Sequence, residues 1–175
     1  MILALTMALS MAACGSKAPA ETVPAQEMPA SALEVLETIW ADYAEDEKFA
    51  VIGGSMAAPV DNAPGSYDIA DENITYSLLI PAEQLANVTE AASMIHMMNA
   101  NTFTGAAFRV AEGTSADAAA AVQNAILTNQ YMCGFPDKLV IMTVGDYVLA
   151  LYGAEDLCDT FKTHTDNLYP GAAVV

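Results

Sequence analysis

Cys14 ends the apolar core of Met11-Ala12-Ala13-Cys14-Gly15, and a thiol so placed can accept a lipid. It follows residues 2–13, an uncharged run of Ile, Leu, Met, Ala, Thr and Ser. That run suits the core of a signal peptide. It is too short for a bilayer about 30 Å thick, which takes about 20 apolar residues. The small side chains of Ala12 and Ala13 give a signal peptidase access to the backbone. Two features depart from the pattern. Met11 stands where Leu is more usual, and the first basic residue is Lys17, so the reading expects a signal truncated at its start. The alternative is a hydrophobic strand with an ordinary buried cysteine. It leaves unexplained the order of apolar core, small residues, cysteine and linker.

Other chemistry is sparser. Met94, His96, Met97 and Met98 form the one cluster of soft ligands, and thioether with imidazole suits copper outside the cytoplasm. On a helix, Met94, Met97 and Met98 would share a face and His96 would point elsewhere, so a gap-filling core helix is the stronger reading and no metal is assigned. Asp61, Asn62, Asp68, Asp71, Glu72 and Asn73 crowd one loop. Calcium takes such oxygens, but the EF-hand spacing is absent and an Asn/Asp-rich turn region is favoured. The two histidines, His96 and His164, are not tied to a nucleophile, and no G-x-S-x-G, H-E-x-x-H or P-loop pattern occurs. No catalytic residue and no cofactor is expected.

With Cys14 on a lipid, Cys133 and Cys158 remain as an even pair outside the cytoplasm. Cys133 would end the third helical block and Cys158 would sit in the first turn of the last helix. With both helices on one face of a sheet, the cysteines would meet. A bridge would close a loop worth about 3 kcal/mol in the chain-entropy picture. Two buried free thiols are the alternative.

The elements that would position these residues read as follows. Ser31 and Glu34 form a capping box, and Leu36, Ile39, Trp40 and Tyr43 follow at helical spacing. Gly53-Gly54 stops that helix, and an irregular connection runs to Asn73. Residues 74–80 alternate as a strand. Pro81 opens one or two short helices, with Leu85, Val88, Ala92 and Ile95 at helical spacing. Residues 102–110 read as a strand. Thr114, Ser115 and Asp117 start a helix whose core face is Ala118, Val122 and Ile126, ended by Gly134 and Pro136. Residues 139–144 and 147–152 flank Gly145-Asp146 as a hairpin of II′ type. A final helix carries Leu157, Phe161 and Leu168, and Pro170-Gly171 ends it. The pattern predicts an α+β domain: a three- or four-stranded antiparallel or mixed sheet that includes this hairpin, with helices packed on one face.

The expected organisation is a signal peptide over 1–13, the lipidated cysteine and a flexible tether over 14–30, and a single domain over 31–175. Pro19, Pro24 and Pro29 among small and polar residues make the tether semi-extended. The chain carries 22 acidic against 5 basic residues, a net charge of -17, and every charge lies after Cys14. Such a surface repels phosphate backbones, which excludes nucleic acid as a partner. It also gives no attraction to an anionic membrane, so the lipid must do the anchoring.

The segments Met97-Met98-Asn99-Ala100-Asn101-Thr102-Phe103-Thr104, Met132-Cys133-Gly134-Phe135-Pro136-Asp137-Lys138 and Val144-Gly145-Asp146-Tyr147-Val148 carry a resemblance. The chain resembles an uncharacterised family of lipoproteins of Gram-positive, clostridia-type bacteria that carry a domain of unknown function. The resemblance covers residues 76–169 and the signal. It implies a small α+β domain on the outer face of the cytoplasmic membrane, and no catalytic residue to carry over. The expected function is a non-enzymatic binding or accessory module of the cell envelope with a protein or small-molecule partner. The alternatives are an extracytoplasmic copper or calcium binder and a hydrolase with an unrecognised site.

Overall fold

The computed structural model of the chain describes residues 28–129 and 136–175. The order is helix α1 (Ala32–Asp42), strands β1 (Val51–Ser55), β2 (Ala58–Asp61) and β3 (Gly65–Tyr67), helix α2 (Ile74–Ser77), and a 3-10 helix (Ala82–Asn87). Strands β4 (Val88–His96) and β5 (Phe103–Val110), helix α3 (Ser115–Leu127), strands β6 (Lys138–Val144) and β7 (Tyr147–Gly153), helix α4 (Glu155–Leu168) and strand β8 (Ala173–Val174) follow. The protein is α+β, but the sheet has eight strands rather than three or four. All its pairings are antiparallel, in the order β2-β1-β4-β5-β7-β6-β8, with β3 also on β4.

Helices cover both faces, not one. On the first face, α1 and α4 bury Leu36, Ile39, Trp40, Cys158 and Phe161 against Met94, Phe103, Leu149 and Leu151. On the second, α2 and α3 bury Ile74, Leu78, Val122 and Ile126 against Phe108, Ile141 and Val148. Side chains alternate across a strand, so β7 sends Leu149 and Leu151 one way and Val148 and Ala150 the other. Every residue of β7 is therefore buried.

The capping sequence behaves as its chemistry demands. Ser31 caps α1, its hydroxyl accepting from the Glu34 amide at 3.0 Å. The Glu34 carboxylate reaches one residue further back than a capping box and accepts from the Ala30 amide at 2.6 Å. Gly145 alone of the two turn residues has positive φ, +57, as a II′ hairpin requires.

Three expectations fail. Residues 74–80 are not a strand: Asn73 opens the short α2, and Leu79 at φ 55 breaks the extended path. Residues 88–96 are a strand, not a helix, and both its faces are buried. Gly53-Gly54 lies within β1 rather than stopping α1, which ends at Asp42, and two short strands, β2 and β3, follow where an irregular connection was expected. There β1 pairs β4 through Val51, Ile52 and Gly53, then veers off, and β3 takes its place through Gly65, Ser66 and Tyr67. The crossing needs glycine: a Cβ on Gly53 would overlap the backbone of Gly65 and Ala63. Helix α3 ends at Leu127, and Gly134 lies outside the described residues.

Candidate functional site

The end of the expected tether is bound to the sheet. Glu90, Arg109 and Tyr147 are cross-strand partners on β4, β5 and β7, forming one row across three neighbouring strands. Glu90 pairs with Arg109 at 2.9 Å, and the Arg109 guanidinium lies 5.8 Å from the Tyr147 ring centroid. Each of the three also holds the chain entering α1. The Tyr147 hydroxyl donates to the Pro29 carbonyl at 2.6 Å, Arg109 Nη1 donates to the Ala30 carbonyl at 3.3 Å, and the Glu90 carboxylate accepts from the Ala32 amide at 3.0 Å. Residues 28–30, assigned to the tether by composition, are thus a strap seated on the domain. Burial raises the Tyr147 phenol, with Arg109 opposing, and the hydrogen bond to Glu90 raises the Arg109 guanidinium, so both keep their protons as donors.

His164 is the histidine that meets carboxylates. Its Nδ1 lies 2.7 Å from Asp42 Oδ2 and its Nε2 3.5 Å from Glu47 Oε2, which ties α4 to the end of α1. Its ring stacks on Tyr43, centroids 4.3 Å apart. A neutral imidazole has one N–H, so only a doubly protonated ring donates to both acids. The Tyr43 hydroxyl beneath is buried without a hydrogen-bond partner, and burial, then Glu47, pushes its pKa up. The hydrogen bond of His164 runs to a carboxylate, and its imidazole fastens two helices.

The soft-ligand residues differ in burial. Strand geometry buries Met94 completely in the first core and leaves Met97 and Met98 exposed. His96 stacks on Phe49, and its Nδ1 accepts from the Met98 amide at 3.0 Å. That hydrogen bond occupies the Nδ1 lone pair.

In the acidic loop, Asp68 accepts from the Ala70 amide at 2.9 Å and Asp71 from the Asn73 amide at 2.8 Å. These are the turns expected of Asp before a bend. Among the described residues no three His, Cys, Asp or Glu side chains gather as a metal set. No helix among them is long and apolar enough to cross a membrane.

Cys158 is a buried free thiol, its Sγ 3.9 Å from the Lys138 carbonyl oxygen. Burial, reinforced by Asp159, pushes it up to about 12. Cys14 and Cys133 lie outside the described residues. The argument for a bridge placed both helices on one face; α3 and α4 lie on opposite faces.

No family model, curated protein or solved structure matches the chain.

Nothing in the sequence singled out the row Glu90, Arg109 and Tyr147. Residues 88–96 read as helix, which hides cross-strand neighbours. The available signal was Arg109, a lone cation inside an otherwise apolar strand.

Proposed function

We propose that the chain is a membrane-anchored extracytoplasmic lipoprotein, a non-enzymatic binding or accessory module of the cell envelope. The observation that carries the reading is the sequence around Cys14: an apolar core, two small residues, cysteine, then a proline-bearing stretch. The strap supports it, because a tether needs a firm point of attachment, and residues 28–32 receive bonds from three strands. The acidic surface supports it too, since a net charge of -17 leaves a lipid as the means of holding the domain at an anionic bilayer.

Expression in a Gram-positive host with fractionation of the envelope tests the reading. The wild type sediments with membranes and incorporates labelled palmitate. Cys14→Ala, or globomycin treatment, alters processing and releases the protein. Unchanged membrane association in Cys14→Ala would overturn the anchor.

A further inference from the structure

We infer that the cleft between the α2 end and the α3 end binds a neutral oligosaccharide, with Tyr76 as the platform for one sugar ring. The cleft has a volume of about 630 Å³ and is walled by Thr75, Tyr76, Leu79 and Pro81 on one side and Ala125 and Thr128 on the other. Tyr76 is 74% exposed, and it is the one exposed aromatic residue among the described residues. Four residues on, Ile80 is 1% exposed and belongs to the second core. Between them Leu79 takes φ 55, a left-handed conformation that costs a bulky residue about 1–3 kcal/mol. The turn is thus fixed from below by Ile80 and Leu78, and Tyr76 stands at the rim on a supported backbone.

The chemistry of the walls selects the ligand. Among the described residues no Asp, Glu, Lys, Arg or His lines the cleft, so a charged group entering it finds no partner among them. A net charge of -17 further disfavours an anion. Among the described residues the walls offer one aromatic face, aliphatic surface from Leu79, Pro81 and Ala125, hydroxyls at Thr75 and Thr128, and the amide of Asn129. The Thr128 hydroxyl donates to the Asn124 carbonyl at 2.7 Å, which leaves its oxygen as an acceptor. The matching ligand is uncharged, has a flat apolar face, and carries hydroxyl groups at its edge. A pyranose ring has these properties. Tyr is suited to such contacts because it presents a large rigid area at low entropic cost. An open cleft with one aromatic platform implies weak affinity, of order 1 mM for a single ring.

This deepens the binding-module reading but does not depend on lipid attachment, because binding is measured on the full chain in detergent solution. Isothermal titration with N-acetylchitotetraose, cellotetraose and maltotetraose is the test. The expected result is saturable binding of at least one of them. Tyr76→Ala weakens it about tenfold or more, and Tyr76→Trp retains it. Tyr76 packs mostly against solvent, so Tyr76→Ala keeps the wild-type urea midpoint, which separates lost binding from lost folding. Absence of binding to all three sugars, or equal binding by Tyr76→Ala, overturns the inference. A Cys14→Ala protein that binds sugar yet remains on membranes would refute the anchor and leave the cleft assignment standing.

Discussion

The Tyr147 hydroxyl donates to the Pro29 carbonyl oxygen at 2.6 Å, joining residues 118 apart in sequence. With Arg109 and Glu90 beside it, this bond fastens the chain entering α1 to the sheet.

Tyr147→Phe deletes that bond and leaves the ring in place. The expected cost is about 1 kcal/mol, read as a shift in the urea midpoint. Hydrogen exchange gives the sharper readout: the Ala32 amide, held by Glu90, exchanges faster in Glu90→Ala while amides in β6 do not. Unchanged exchange at Ala32 would show that the strap is not held by this row.

Gly53→Ala places a methyl group into the backbone of Gly65 and Ala63, and backbone cannot swing aside as a side-chain tip can. It should destabilise by about 3 kcal/mol. Gly171→Ala is the control, because a Cβ there meets nothing, and it should stay within about 0.5 kcal/mol. Thermal unfolding of the two variants reads the contrast.

His164→Ala removes the link between α4 and the end of α1. The side chain is 13% exposed and its carboxylate partners 44%, so solvent screens part of the interaction. A loss of about 1–2 kcal/mol is expected. A double-mutant cycle with Asp42→Ala isolates the pair, and a coupling near zero would mean that stacking on Tyr43 carries the contact.

The Cys158 thiol gives a pH dependence with a definite sign. Its pKa rises from the ordinary 9.0 to about 12 because burial disfavours the thiolate. Below pH 9 both folded and unfolded chains hold the proton and the contribution is full. Between 9 and about 12 the unfolded chain releases its proton first, so stability falls as pH rises. In a Cys14→Ala, Cys133→Ala background, the slope of unfolding free energy against pH over this range should be steeper than with Cys158→Ala added. The same background should not react with Ellman's reagent until denatured. Prompt reaction in the native state would place the thiol at the surface.

The hairpin of β6 and β7 follows from two β-branched, apolar runs around Gly145, and α1 from Ser31 and its apolar stripe. The stretch between α1 and β5 hid itself for physical reasons. Strand β4 is buried on both faces, which erases the alternation that marks a strand with one wet side, and Val88, Ala92 and Ile95 then mimic a helical stripe. Gly53, Gly54 and Gly65 read as breaks because glycine usually is one; here it lets strands cross. Two-faced coverage did leave a trace: residues 147–152 are apolar without a polar partner face, as expected of a strand with helices above and below. The strap and the His164 link depend on residues far apart in sequence, and no local pattern announces them.

The row that receives the strap also decides how the domain meets mechanical load. Tension applied through the N-terminus arrives at β4, β5 and β7, in the interior of the sheet, and not at an edge strand that could be peeled away. The side-chain bonds to Pro29, Ala30 and Ala32 therefore stand between such a pull and the strand ladders of the core.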